Sequence, residues 1–361
     1  MLHKPYFLKV IHILCSILAI FLIYASFGIL GYQAGVSQNP LYDIPIQVFL
    51  WILGFYLALI LHELGHAFFG RISGYQTIAL GLGKWNIVFL KHGVRYKKKF
   101  LTKEAAAQYI GVKKNRETDG DILMFSGGLI VHLTLASCYL LFGMMSQVWT
   151  WFLPQIFLNL ALFILNIDPN GITDGAKILE LALYPQHKVY LYQELDHAAQ
   201  LFLDNQEAKL ADFTQEIPLE AGIIAQTAYL NHTEVQLFHG HLDQAEKQLL
   251  TLSQFTEIAT IRMMSQALLL LTYLLKEELP KATELAETKD IKKVFQQPQS
   301  QVQMIKAYYE IFILQDSAQA QHSLKKARTA FQLSHFLQDE KEYYTQLLDL
   351  VQQQIIQCEN P

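Results

Sequence analysis

His62, Glu63 and His66 stand in the string His62-Glu63-Leu64-Gly65-His66, near the end of a long apolar run. On a helix, residues i and i+4 project from one face a turn apart, so the two imidazoles converge on a common point. They would supply half of a tetrahedral zinc shell, and Glu63 between them is placed to take a proton from the attacking water as general base. Chance alone gives this spacing in about one chain of this length in a hundred. Cost is the stronger argument. Two His and a Glu inside an apolar helix are expensive in lipid unless they face a cavity or a metal. The expected cofactor is Zn2+.

The elements that must hold these residues follow from composition. Of 361 residues, 52% are hydrophobic, which suggests a membrane protein with room for a second domain. Four apolar stretches, at about 6–30, 46–70, 122–145 and 148–167, are long enough to cross a bilayer. The segment between the first two holds no Lys or Arg. The segment between the second and third holds eleven, including Lys97, Lys98 and Lys99. By the positive-inside rule that loop is cytoplasmic, and so are both termini of a multi-pass protein of the cell membrane.

This topology puts His62 and His66 in the cytoplasmic third of the second span. The fourth span ends at the same depth and is followed by Thr173-Asp174-Gly175. A carboxylate from Asp174 would complete a His, His, Asp shell and leave the fourth position for water, as a catalytic zinc requires. Cys15, Cys138 and Cys358 are far apart in sequence and indicate neither a disulfide framework nor a thiolate metal site.

Two motifs now carry a resemblance. The first is His62-Glu63-Leu64-Gly65-His66; the second is Asn166-Ile167-Asp168-Pro169-Asn170-Gly171-Ile172-Thr173-Asp174-Gly175, an N-x-x-P-x(4)-D-G pattern. Together they resemble the site-2 protease family of intramembrane zinc metalloproteases, over about residues 46–180. Gly171 stands where many members have a second Pro. Gly127-Gly128-Leu129-Ile130-Val131-His132 is a weaker counterpart of the family's G-P-x-x-x-N patch, with Gly128 for Pro and His132 for Asn. The resemblance implies zinc on His62, His66 and Asp174, with Glu63 as general base. Asn166 would support the substrate or the shell, or else cap its own helix. His132 would either satisfy a neighbouring polar group or donate to the oxyanion in place of the family's Asn.

Between the second and third spans, residues 76–96 alternate β-branched and aromatic runs with Gly-Lys and His-Gly, and read as two or three strands with tight turns. Such a hairpin either sits on the membrane surface, anchored by Trp85, Phe89 and Lys97–Lys99, or offers an edge to an unwound substrate. In the family a similar small sheet lies beside the active site.

Charge divides the chain. Residues 1–178 hold 14 Lys+Arg against 8 Asp+Glu, and residues 179–361 hold 14 against 24. The basic residues cluster beside apolar spans, so no nucleic-acid partner is expected. The acidic half is helix-forming throughout. Ala245, Ala282 and Ala320, spaced by 37 and 38 residues, mark stretches that resemble degenerate tetratricopeptide-type repeats. A generic helical bundle is the alternative. His232, His239 and His241 share no face with carboxylates and read as ordinary surface or core residues.

The expected fold is an α-helical polytopic membrane protein with a small β-hairpin element, plus a soluble all-α helical-repeat domain. Residues 1–180 form the membrane-embedded zinc metalloprotease domain and residues 186–361 the cytoplasmic helical domain. The expected function is intramembrane hydrolysis of a peptide bond in a membrane-spanning protein or peptide, with a cytoplasmic protein or peptide partner on the helical domain. The rival is an inactive protease-like adaptor. An inactive copy should have lost Glu63 or a ligand, and here all four positions are intact.

Overall fold

The computed structural model describes residues 5–36, 39–83, 85–98, 107–117, 119–203, 217–220, 222–334 and 336–359. Its long apolar runs are helices: α1 (Pro5–Val36), α2 (Pro40–Ile72), α3 (Asp121–Ser146) and α4 (Trp149–Ile167). Three of these, α1 over Phe7–Gln33, α2 and α3, are long and apolar enough to cross a membrane. Helix α4, on the fourth expected span, has 19 residues, about 28 Å at 1.5 Å per residue. Pro169 sets its end, because a residue before proline is pushed out of the helical region, and Asp168 sits at ψ 123°.

Four strands follow α2: β1 (Tyr75–Leu82), β2 (Trp85–Leu90), β3 (Gly93–Lys98) and β4 (Ala107–Lys113). The first three match the sequence reading; β4 was not expected. The chain divides into two compact units, Met1–Leu82 with Ala106–Lys188, and Gly83–Ala105 with Val189–Pro361. The β2–β3 hairpin therefore groups with the acidic half.

In the first unit, α2 and α3 cross with their backbones in contact. A Cβ built at Gly65 would stand 2.5 Å from the Gly127 carbonyl oxygen, and one at Gly127 2.5 Å from that of Gly65. Small residues at such a crossing let apolar helices approach closely. Helix α4 packs on both α1 and α3. Ser26 joins three helices: its hydroxyl donates to the Pro154 carbonyl at 2.9 Å and accepts from the Trp51 indole at 2.8 Å.

Strand β1 pairs antiparallel with β4, Tyr75 opposite Lys113 and Leu82 opposite Ala107, with an irregularity between Thr77 and Ala79. A buried charge locks this pair to the start of α3. Lys113 Nζ donates to Asp121 Oδ1 at 2.9 Å, and the Tyr75 hydroxyl donates to the same oxygen at 2.5 Å.

In the second unit, β2 and β3 form an antiparallel hairpin with Trp85 opposite Lys98. Of the expected membrane anchors, Lys97 donates to the Phe202 carbonyl at 2.5 Å, and Lys99 lies outside the described residues. The remaining helices are α5 (Asp174–Leu183, in the first unit), α6 (Lys188–Leu203), α7 (Ile223–Phe238), α8 (Leu242–Phe255), α9 (Ala259–Leu275), α10 (Leu279–Ala286), α11 (Lys289–Val294), α12 (Ser300–Phe312), α13 (Ser317–Leu333) and α14 (Gln338–Glu359).

Helices α7 and α8, α9 and α10, and α12 and α13 pack as neighbours. Helix α7 also meets α9, α9 meets α12, and α12 meets α14. The turns within the three pairs share one register. Gly240, Glu277 and Gln315 adopt φ of 77°, 58° and 52°. Each lies five residues before a fully buried alanine, Ala245, Ala282 or Ala320. A left-handed residue there ends one helix, and the small alanine lets the next pack closely against it. The most apolar helix of this unit, α9, is its core, with Leu268, Leu269, Leu270 and Leu271 all buried.

Candidate metal centre

Helix α2 delivers His62 and His66 one turn apart on the face turned to α3, and both are buried. Their Nε2 atoms lie 3.0 Å apart. Asp174 Oδ2 lies 3.2 Å from His62 Nε2 and 3.2 Å from His66 Nε2. The three atoms form a nearly equilateral triangle. Two ligands held at zinc bond lengths around a tetrahedral centre stand about 3.3 Å apart, so the triangle has the right size for that ion.

The donor chemistry agrees. His66 Nδ1 donates to the Met124 carbonyl at 2.8 Å, which leaves a lone pair on Nε2 of the neutral ring. Asp174 Oδ2 is buried and accepts no hydrogen bond from the described residues. A carboxylate oxygen and imidazole nitrogens that converge this closely are stable around a cation. The residues therefore fit the zinc that the sequence suggested, and His62, His66 and Asp174 are the groups that would hold it.

Asp174 reaches this position through local chemistry after α4. Asp168 organises the loop: the Asn170 amide donates to its Oδ1 at 3.0 Å, and the Thr173 hydroxyl donates to its carbonyl. His12 Nδ1 of α1 donates to Asp168 Oδ2 at 2.5 Å. Thr173 then caps α5 by accepting from the Ala176 amide at 3.1 Å. At Gly175 a Cβ would stand 2.1 Å from the Ile167 carbonyl oxygen, so only glycine lets α5 start against the end of α4.

Glu63 is half-buried and lies within electrostatic reach of both imidazoles, Asp174 and Lys177. No described residue hydrogen-bonds its carboxylate. Lys177 Nζ sits 5.1 Å from the centre of the Phe125 ring. Tyr109 of β4 stacks on His66 with ring centres 6.1 Å apart, and burial pushes its phenol up to about 12. The strand beside the site is thus β4, absent from the sequence reading.

His132 is fully buried in α3. Its Nε2 lies 3.1 Å from His62 Nδ1, and its Nδ1 lies 3.3 Å from Asn159 Oδ1 of α4. Both ring nitrogens are thereby engaged. Asn166 donates from Nδ2 to the Leu162 carbonyl at 2.9 Å, a bond within its own helix. Sequence reasoning missed Met124, Asp168, Tyr109 and Asn159. A backbone carbonyl such as that of Met124 leaves no sequence signal. Asn159 did leave one, since Gln155 and Asn159 stand at i and i+4 in an apolar helix. Compared with protein-family models, curated proteins and solved structures, the chain matches none.

Proposed function

We propose that this chain is an intramembrane zinc metalloprotease that hydrolyses a peptide bond in a membrane-spanning protein or peptide. The observation that carries the reading is the triangle of His62 Nε2, His66 Nε2 and Asp174 Oδ2, with separations of 3.0–3.2 Å, within electrostatic reach of Glu63. A zinc ion held there would supply Lewis-acid polarisation of the scissile carbonyl and a lowered pKa for water.

The chain's own residues do the rest. A Glu63 carboxylate oxygen takes the proton of the attacking water and returns it to the departing amide nitrogen. Met124 fixes the His66 ring through its carbonyl, and the cap at Thr173 fixes Asp174. A helical substrate hides its carbonyls in hydrogen bonds, so it must unwind before attack. Strand β4, paired with β1 on one side, is a sheet edge along which an unwound segment can pair.

The membrane setting rests on α1, α2 and α3, whose outer faces expose large apolar side chains. Leu14, Phe21, Phe49 and Phe68 are each more than 60% exposed. In water that surface would be a strong liability; in lipid it is at home.

The shared register of the left-handed turns and buried alanines supports a tetratricopeptide-like array in the acidic half. Arrays of this type bind partner segments rather than perform chemistry. A groove lined by Pro298, His322, Lys325, Lys326 and Leu333 is basic within an acidic half, which suits an acidic peptide partner.

Mapping the cut tests the reading. His66 lies six residues before the end of α2, about 9 Å along the axis. Cleavage should fall in the third of the substrate's span at that depth, near Gly, Pro or polar residues. Fragments cut at the opposite end of the span, as read by mass spectrometry, would overturn it.

A further inference from the structure

We propose that His132 and Asn159 are positioning residues that set the proton arrangement of His62 and hold its Nε2 ready for the metal. The inference rests on the metal reading above and extends it to two residues on α3 and α4.

The direction of every hydrogen bond follows from the far end of the chain. Asn159 Nδ2 donates to the Gln155 carbonyl at 2.9 Å, one turn back on α4. A carbonyl only accepts, so the amide is oriented with Oδ1 toward His132, 3.3 Å away. Oδ1 also only accepts, so His132 carries its proton on Nδ1. The neutral ring then has a lone pair on Nε2, which lies 3.1 Å from His62 Nδ1. His62 must donate there, and its own lone pair is left on Nε2. That is the atom facing His66 Nε2 and Asp174 Oδ2.

Burial makes the relay strict. His62, His132 and Asn159 are all less than a tenth exposed, so water does not compete for these bonds. A reversed relay, with His132 donating from Nε2, would put the His62 proton on Nε2 and block the ligand position. Gly128 completes the seat: a Cβ there would stand 2.2 Å from His62 Cε1, so the ring is held sterically as well as by its proton. A polar partner behind a ligating imidazole fixes its tautomer and angle, and its loss costs about 10–100-fold in metal affinity. His66 has a simpler partner, the Met124 carbonyl. Because both nitrogens of His132 are engaged, the ring has no free donor for a substrate oxyanion.

The test is zinc affinity of the purified full-length protein in detergent, by competition with a chelator, for wild type and three variants. His132→Leu removes the acceptor and should weaken zinc binding about 10–100-fold. His132→Gln places an amide oxygen where Nε2 was and should recover affinity to within a few-fold of wild type. Asn159→Leu releases the proton arrangement of His132 while leaving that ring in place, and should give an intermediate loss. It carries the test if His132→Leu does not fold. A purely structural histidine would not be rescued by Gln with its different shape. Wild-type zinc binding with undiminished affinity in Asn159→Leu and His132→Leu would overturn the relay alone. A wild-type protein that binds no zinc would overturn the metal reading and the relay with it.

Discussion

Gly128 lies directly against the imidazole of His62, with 2.2 Å between a Cβ built at Gly128 and His62 Cε1. Any side chain at 128 must push the His62 ring off its line to Asp174. Gly128→Ala should therefore weaken zinc binding by about tenfold or more. Gly28 of α1, with nothing within 4 Å of its built Cβ, is the control, and Gly28→Ala should leave affinity unchanged. Chelator competition reads both. Equal affinities for the two variants would mean that His62 is not seated as described.

The Lys113–Asp121 pair sets a second expectation. The Lys113 side chain is fully buried and Asp121 nearly so. Lys113→Met removes the buried ammonium that Asp121 Oδ1 faces, and removing one partner of a buried pair costs about 3–5 kcal/mol. The β1–β4 ladder should lose hydrogen-exchange protection, and thermal stability should fall. Replacing both partners, in Lys113→Met with Asp121→Leu, should recover much of the loss. No recovery in the double variant would show that the pair does more than compensate its own burial.

The three turns of the acidic half make a third prediction with opposite signs. Gly240 sits at φ 77° without strain, while Glu277 and Gln315 sit at 58° and 52° with a Cβ. Left-handed backbone costs a side-chain-bearing residue about 1 kcal/mol. Gln315→Gly should thus be neutral to stabilising and Gly240→Ala destabilising by about 1 kcal/mol. Exchange rates of the amides in α12, α13, α7 and α8 report each change locally. Destabilisation by Gln315→Gly would mean that its side chain contributes more than its backbone strain removes.

Lys325 and Lys326 provide the test of the acidic half as a partner site. Neither ammonium is ion-paired among the described residues. Reversing both to Glu should abolish binding of an acidic peptide partner and leave zinc content unchanged. Point changes are preferable to truncation, because β2 and β3 group with the second unit and would lose their setting. Undiminished processing of the natural substrate by the doubly reversed protein would remove this groove from the account.

Much of the site was legible because its residues are costly where they stand. His62, Glu63 and His66 break an apolar helix, and Asp174 was located by the depth at which α4 ends. The same logic applied to Gln155 and Asn159 would have pointed to a polar connection between α3, α4 and α2. It was hidden because the partner, His132, lies 27 residues away and is met only when two helices pack. Strand β4 was hidden for a different reason. Its Tyr109, Gly111 and Lys113 lack an alternating pattern, and the ladder with β1 together with the Lys113–Asp121 contact compensates for that weak local preference. The grouping of β2 and β3 with the acidic half has no local signature at all, since it depends on tertiary contacts alone.

In the proposed mechanism Glu63 performs chemistry at a metal it does not bind. Glu63→Gln keeps shape and volume and removes the base, and Glu63 is not among the groups that would hold the ion. The decisive measurement pairs metal analysis of purified wild-type and Glu63→Gln protein with mass spectrometry of membrane-peptide fragments from cells expressing each. Both proteins should hold about one zinc per chain, and cleavage fragments should appear only with wild type. Fragments produced equally by Glu63→Gln, or loss of zinc from that variant, would contradict this mechanism.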